Sequence, residues 1–380
     1  MKSFKLNIIV IFLFVFNSGF AASEVMDSTI NTGIKQIYNI QFDDAEKTFR
    51  GLIANYPENP AGRFFLAMID WWRILLDLDN ESYDDIFYQK LEDVIYQCDD
   101  ILDQNPNDVN ALFFKGGAIG FRGRLRAARE SWLKAADDGR EALPIVQRAS
   151  KLDANNKDVR LGFGIYNYYA AVIPEKYPLI KPLMIFFPPG DKSLGLLQLK
   201  ETALSGKFAK YEAQYFLMTL YYQFEDNPYE AELWAKMLNE QFPNNPTFER
   251  WRGRIAVRRG DNYESFKIFE SVANKVNLRY TGYNKKSERE AMYYLGLHYK
   301  NTNSPDSAKK FFQRCETLCN ELEGNSETGF LINTVLYLGM MYDATGEREK
   351  AVTYYRRLMN MREYGASRAF AKQYLETPFR

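Results

Sequence analysis

Few residues of this 380-residue chain could carry out acid–base, nucleophilic or metal chemistry. His298 is the only histidine, so no histidine-based zinc site, catalytic triad or His–Cys pair can be assembled. Of the three cysteines, Cys315 and Cys319 stand one helical turn apart, where a disulfide would be strained, and Cys98 is remote in the sequence. We therefore predict that His298 is a hydrogen-bonded, packed histidine and that the cysteines are buried thiols.

Two loops imitate ligand-binding motifs without meeting their requirements. The glycine-rich run at residues 116–120 follows no strand and is not continued by Gly-Lys-Ser/Thr, so close helix crossing explains it better than a phosphate loop. The acidic run at residues 77–81 lacks a calcium-loop pattern, because Ser82 stands where Gly is needed and Tyr88 where a bidentate Glu is needed. No metal site is predicted.

The acidic and basic residues do not single out a substrate or a polyanionic partner. There are 49 of each, so the formal net charge is zero and non-specific binding to nucleic acid is not favoured. Two carboxylates suffice for glycoside hydrolysis, but the sequence identifies no such pair. We predict that the chain is not an enzyme and has no cofactor; a carbohydrate-active helical enzyme is the least favoured alternative.

Small residues recur at a spacing that indicates the elements of the fold. In six places a small residue is followed by another twelve positions later, and an aromatic or long apolar residue usually follows after four more. The pairs are Gly33/Ala45, Gly116/Ala128, Thr219/Ala231, Gly253/Ser265, Gly296/Ala308 and Gly339/Ala351. Such pairs are typical of two antiparallel helices that cross closely and stack on copies of themselves.

The pattern is best formed at residues 334–359, where Leu338-Gly339, Tyr342, Ala351 and Tyr355 recur at these positions. This order resembles the motif of the tetratricopeptide repeat. The resemblance implies an all-α fold, a right-handed superhelix of stacked antiparallel helix pairs with a proline- and aromatic-rich insertion in its middle. Strand signals are nearly absent, which agrees with that expectation.

Four segments are predicted along the chain. Residues 1–21 place Lys2 and Lys5 before an apolar run and a small-x-small sequence, which is typical of a cleaved signal peptide. N-terminal helical repeats are predicted for 22–160, an interrupted repeat with the insertion for 161–204, and C-terminal tetratricopeptide repeats with a capping helix for 205–380. The chain is expected to be exported, to the periplasm of a Gram-negative bacterium or otherwise by secretion.

The repeat pattern is interrupted at residues 161–204. Prolines in this segment forbid one continuous helix, and Asp191 is suited to cap the helix that follows. Several pieces resemble the signature of the tetratricopeptide-39 and inclusion-body-clearance (Iml2-like) family: Gly164-Ile165-Tyr166-Asn167, Ile173-Pro174, Gly190-Asp191-Lys192 and Gly195-Leu196. Members of that family are intracellular eukaryotic proteins linked to lipid droplets or mitochondrial membranes. This chain differs from them by its predicted export signal.

Three roles remain open for the insertion, whose aromatic residues include Tyr166, Tyr169, Phe186 and Phe187. It could be a plug that packs against the superhelix, a lid over an apolar ligand in the groove, or an aromatic wedge that rests on a membrane or partner surface. The last two roles define the alternative function, an apolar-ligand or membrane-surface binding protein that uses residues 166–187.

In a tetratricopeptide repeat the first helix of each pair lines the concave face, so groove positions can be counted from the small residue. This count selects Phe113, Phe163, Asn167, Phe216, Leu220, Arg250, Arg254 and Tyr293, with Leu336 and Met340 in the last repeat. Arg250 and Arg254 are open to two interpretations, a solvated face or a contact for an anionic segment. We predict an exported, non-enzymatic scaffold that binds a protein or peptide segment in this aromatic-lined groove.

Overall fold

A computed structural model of the chain describes residues 24–176, 181, 187–324 and 326–380. The predicted signal peptide at residues 1–21 lies outside the described residues, and so does Phe186. Helices joined by turns make up the described part, in which no strand occurs. The fold is an all-α solenoid of the tetratricopeptide type, which confirms the predicted fold class. It divides into two compact units, up to Leu220 and from Tyr221 onward.

The first unit contains eight helices and most of a ninth. They are α1 (24–38), α2 (Phe42–Asn55), α3 (Ala61–Leu76), α4 (Asp84–Gln104), α5 (Val109–Ala128), α6 (Trp132–Leu152), α7 (Val159–Lys176), α8 (Lys192–Ser205) and α9 (Lys210–Gln223). Sequential helices such as α5 and α6, or α7 and α8, pack against each other as pairs.

The second unit begins at the end of α9. Its helices are α10 (Pro228–Gln241), α11 (Pro246–Arg258), α12 (Asn262–Asn277), α13 (Lys285–Asn301), α14 (Pro305–Glu323), α15 (Gly329–Ala344), α16 (Arg348–Asn360) and α17 (Ser367–Glu376). α14 has 19 residues, and a connection follows α12 at residues 278–284. These two features lengthen the C-terminal repeats beyond the usual period of about 34 residues.

Four glycines of the spacing pattern each receive an aromatic ring from the second helix of their pair. The contacts join Gly33 to Phe49, Gly253 to Phe269, Gly296 to Phe312 and Gly339 to Tyr355. A Cβ atom added at any of these glycines would lie only 2.3–2.6 Å from the nearest ring carbon. All four aromatic residues are fully buried. The missing side chain therefore makes room for the ring that joins the two helices.

The predicted pair Gly116/Ala128 is wrong, because both residues lie on α5. The helix continues to Ala128 and turns only at Glu130, whose φ is 57°. The twelve-residue spacing instead joins Gly123 of α5 to Ala135 of α6, and Gly116 packs against Val146 of α6. A Cβ atom at Gly123 would lie 3.4 Å from the carbonyl oxygen of Ala135.

Asp191 caps α8, as its position in the sequence predicts. Its side chain accepts a hydrogen bond of 2.9 Å from the backbone N–H of Leu194. Replacing Asp191 with alanine should lower the free energy of unfolding by about 1 kcal/mol, because that N–H loses its acceptor. Asp191→Asn is the control, since asparagine caps about as well. Equal losses in urea denaturation for the two variants would contradict a capping role.

Candidate functional site

In the first unit, two of the predicted groove residues, Phe216 and Leu220, pack against other side chains of the chain. Phe216 is 6% exposed and Leu220 fully buried, both on α9. The guanidinium of Arg124 lies 4.5 Å from the ring centroid of Phe216 and forms an ion pair with Glu212. The same carboxylate accepts a 3.0 Å hydrogen bond from the Tyr38 hydroxyl on α1. These contacts place Phe216 and Leu220 in the core rather than on an open surface.

The other predicted groove residues of this unit also make contacts within the chain. Phe113 and Phe163 are half-buried and pack against the buried cluster that contains Leu112. The Asn167 side chain donates a 2.9 Å hydrogen bond to Gln198 on α8. The structure thus brings Phe113 and Phe163 to one cluster and places Asn167 against α8.

The described aromatic residues of the insertion make contacts within the first unit. The Tyr166 hydroxyl donates a 2.5 Å hydrogen bond to the carbonyl oxygen of Pro188. Tyr169 makes an edge contact with Phe216, with ring centroids 6.5 Å apart. Phe187 lies beside Gly139 of α6, where an added Cβ atom would be 3.6 Å from its ring. These contacts agree with the plug interpretation, while the lid and the wedge stay predictions.

In the second unit, Arg250 and Arg254 are neither a solvated face nor free for an anionic partner. Both bind the carboxylate of Glu290, which α13 holds fully buried. Arg250 Nε and Arg254 Nη2 donate to the same oxygen at 2.6 and 2.7 Å. Burial alone would raise the pKa of Glu290, but the two guanidinium groups lower it to about 2. The arginine stripe therefore serves a buried ion-pair triad.

The described part of the second unit contains a groove, and the predicted residue Tyr293 lies beneath it. Tyr293 is 8% exposed and accepts a hydrogen bond from Asn333, which lines the groove. This C-terminal groove is a cavity of about 320 Å³ between α15 and the α17 region. Its lining residues are Asn333, Leu336, Tyr337 and Met340 from α15, and Tyr364, Gly365, Ala366, Ser367, Phe370 and Tyr374 from the α17 region. The sequence count had selected Leu336 and Met340 as concave positions. It missed the α17 side, although Phe370 and Tyr374 are four residues apart and thus share a helix face.

Several contacts fix the two walls of the C-terminal groove. Thr328 caps α15 by accepting a hydrogen bond from the N–H of Leu331 at 3.3 Å. The Tyr364 ring lies against Gly329, where an added Cβ atom would be 2.6 Å from Cζ. Arg348 donates to the carbonyl oxygen of Leu375 at 2.8 Å, which ties the end of α17 to the start of α16. Contacts within the chain therefore fix the positions of both walls.

The amino group of Lys300, on α13, lies 5.5 Å from the ring centroid of Tyr337 in the groove wall. The ring of Tyr337 lies 6.2 Å from that of Tyr293, centroid to centroid, and the Asn333 amide donates a 3.3 Å hydrogen bond to the Tyr293 hydroxyl. Burial lowers the pKa of Lys300. The Tyr337 ring, which lines the C-terminal groove, thus also contacts a half-buried cation of α13.

A second cavity, of about 460 Å³, lies in the first unit and has a charged lining. Its central charges already have partners, because Asp84 pairs with Arg129 and Glu92 with Arg122. We therefore interpret the charged lining of this cavity as structural, because its ion pairs join α4 to α5 and the turn that follows α5.

The residues with potential for chemistry are packed. His298 stacks on Phe266 with ring centroids 4.2 Å apart. Its Nδ1 has no hydrogen-bond partner among the described residues, so the predicted hydrogen bond is missing at that nitrogen. Cys98, Cys315 and Cys319 are buried free thiols, as predicted. Within the described ranges, no three His, Cys, Asp or Glu residues are placed to hold a metal ion. No helix there has the length and apolar character to cross a membrane.

Among solved structures, three with the same kind of fold illustrate the likeness. PilW, described as a widely conserved type IV pilus biogenesis factor, is 12% identical with a TM-score of 0.42, over 69% of this chain and 97% of PilW. The C-terminal part of a TPR repeat-containing protein from Cytophaga hutchinsonii is 15% identical with a TM-score of 0.38, over 80% of this chain and 98% of that one. The APC/C hetero-tetramer Cut9-Hcn1 is 13% identical with a TM-score of 0.45, over 88% of this chain and 59% of that chain.

The family comparison matches one repeat of the chain. No curated protein matches the chain significantly. The resemblance of the segment at 161–204 to the Iml2-like family stays a prediction. Residues 334–361, which form most of α15 and all of α16, match the tetratricopeptide repeat family. The chain therefore carries a tetratricopeptide repeat, and the first helix of that repeat, α15, lines the C-terminal groove.

Proposed function

We propose that this chain is a non-enzymatic scaffold that binds an extended segment of a partner protein in the C-terminal groove. The supporting observation is the groove itself, an open cavity bordered by aromatic and apolar side chains of α15 and the α17 region. Phe370 and Tyr364 are 44% and 45% exposed there. Stacked helical repeats commonly bind partners on such concave surfaces, and half-exposed aromatic residues are frequent anchors of binding energy.

The proposal is tested by moving a crosslinker along the surface of the second unit. A photo-reactive amino acid at position 370 should capture a partner that mass spectrometry identifies, and the crosslinked partner segment can then be made as a peptide. Phe370→Ala should weaken binding of that peptide about tenfold or more in fluorescence anisotropy, since an aromatic anchor is lost.

Tyr263→Ala is the matched control, because Tyr263 is 71% exposed on α12 and does not line the C-terminal groove. It should leave the affinity unchanged. Equal crosslinking at positions 263 and 370, or equal affinities of the two alanine variants, would contradict binding in the C-terminal groove.

We place this scaffold outside the cytoplasm. That location rests on the export signal predicted for residues 1–21, and it is periplasmic or secreted according to the source. The alternative, an apolar-ligand or membrane-surface protein that uses residues 166–187, stays a prediction, as does the absence of a nucleic-acid partner.

A further inference from the structure

The C-terminal groove is uncharged along its described lining. None of its ten lining residues is Asp, Glu, Lys or Arg, and Lys300 contacts the Tyr337 ring without lining the cavity. Arg368, on α17, is bound to the chain itself, because it donates to the carbonyl oxygen of Met361 at 2.9 Å. A charged side chain of a partner would lose water in the groove without meeting an opposite charge, which is costly. The lining therefore favours an uncharged segment.

Four of the lining residues are aromatic, and they stand on both walls of the groove. Tyr337 belongs to α15, whereas Tyr364, Phe370 and Tyr374 belong to the α17 region. The rings of Phe370 and Tyr374 are nearly parallel, with 14° between their planes and 6.1 Å between their centroids. Tyr364 and Phe370 keep nearly half of their surface exposed. Exposed rings in this arrangement form a flat apolar surface on which the ring of another residue can pack.

The polar side chains of the lining are mostly hydroxyl groups, which can donate hydrogen bonds to a partner. The Ser367 hydroxyl oxygen already accepts a 3.2 Å hydrogen bond from the backbone N–H of Tyr364, so its O–H is the part left to donate. Tyr364 and Tyr374 add two further hydroxyl groups. The matching partner segment therefore offers carbonyl oxygens and brings few N–H groups that need an acceptor.

We propose that the C-terminal groove binds an uncharged, proline-rich segment in the polyproline II conformation. This inference rests on the proposed function, because it names the chemistry of the segment bound there. Proline is uncharged, has no backbone N–H, and carries a ring that packs flat on an aromatic face. The backbone carbonyl oxygens of a polyproline II helix are not used within the helix and can accept from the hydroxyl groups of the lining. Aromatic-lined grooves suit such segments, since the preformed helix loses little conformational entropy on binding.

The test uses a displayed library of random short peptides as the probe, selected on the full chain and compared with Phe370→Ala. Wild-type protein should enrich uncharged peptides with several prolines. The most enriched peptide is then made in two forms, one with L-proline throughout and one with D-proline at alternate prolines. The second form has the same composition but cannot adopt the polyproline II helix, so it should bind about tenfold more weakly or worse in fluorescence anisotropy. Raising the NaCl concentration from about 0.1 M to about 1 M should not weaken binding of the first form, because an uncharged contact is not screened.

Variants at position 370 separate an aromatic wall from a merely apolar one. Phe370→Leu keeps an apolar side chain but removes the flat ring, and it should weaken binding of the selected peptide about tenfold. Phe370→Tyr keeps the ring and should retain the affinity. Tyr263→Leu is the matched control, because it removes an exposed ring on α12 that does not line the groove. It should leave the affinity unchanged.

The possible failures differ in kind. Enriched peptides that are poor in proline, or that bind equally well with D-proline, would overturn the polyproline II segment but leave groove binding intact. So would a recurrent charged residue with binding that weakens in salt, or full affinity of Phe370→Leu. A segment crosslinked at position 370 that lacks proline would overturn this inference and support the proposed function. No enrichment on wild type over Phe370→Ala, together with no crosslink at position 370, would overturn both.

Discussion

Glu290→Ala is expected to lower the free energy of unfolding by about 3–5 kcal/mol, because it leaves two guanidinium groups partly buried without a counter-ion. Arg250 and Arg254 converge on this fully buried carboxylate, and Arg250 comes from the same helix α11 as Arg254. The loss would be measured by urea denaturation followed by circular dichroism. Glu270→Ala is the control, since Glu270 forms an exposed pair with Lys267 at 3.5 Å and such pairs contribute at most about 1 kcal/mol.

The same carboxylate predicts a pH dependence with a definite sign. The pKa of Glu290 is lowered from an ordinary 4.5 to about 2 in the folded chain, so the unfolded chain binds the proton more readily. The stabilisation is therefore fully present above pH 4.5 and is lost as the pH falls toward 2. The stability difference between wild type and Glu290→Gln should shrink over that range. A difference that stays constant, or a Glu290→Ala loss no larger than that of Glu270→Ala, would contradict the triad.

This triad also shows why the site could be predicted only in part. The spacing of Arg250 and Arg254 correctly indicates that they share a helix face, but their acidic partner lies 40 residues beyond Arg250. Nothing local marks Glu290 among the 49 acidic residues of the chain. A stripe of charge read from the sequence is therefore ambiguous between a solvated face and a buried pair until the packing partner is known.

The groove positions predicted in the first unit were ambiguous for the same reason, because their packing partners are distant in the sequence. Counting from the small residue placed Phe216 and Leu220 on the concave side, yet both are buried. The cause is a long-range contact: Tyr38 bonds to Glu212 across 174 residues, so α9 packs against the N-terminal helices. In the last repeat the same count selected Leu336 and Met340, which are also buried but border the C-terminal groove. Periodicity thus identifies a helix face, whereas contacts between distant helices decide whether a cavity opens over that face.

The helix pairs themselves could be predicted because their signal is local. A glycine and an aromatic residue sixteen positions apart report one crossing between neighbouring helices, and the structure shows that contact at four pairs. The signal fails where two matches overlap, as Gly116/Ala128 and Gly123/Ala135 do on α5 and α6. There the position of the turn decides, and no Gly or Pro marks it: Glu130 adopts the positive φ instead.

Phe49→Ala is expected to lower the free energy of unfolding by about 3–5 kcal/mol, because a fully buried ring is lost from the crossing of α1 and α2. Gly33→Ala should lower it by about 1–3 kcal/mol, although alanine is the better helix former, since the new Cβ atom would lie 2.3 Å from Phe49 Cζ. Both losses would be measured by urea denaturation.

A matched glycine separates steric conflict from helix propensity. Gly51 lies in α2, and an added Cβ atom there would meet no atom within 4 Å, so Gly51→Ala should raise the free energy of unfolding by up to about 1 kcal/mol. In Phe49→Leu, the smaller side chain should make Gly33→Ala less costly, which gives a favourable coupling in the double-mutant cycle. Additive effects of Gly33→Ala and Phe49→Leu would contradict a direct contact. If that contact is confirmed, the three other glycine–aromatic pairs are expected to hold their repeats by the same steric fit, since each has the same spacing and a ring within 2.6 Å of the missing Cβ atom.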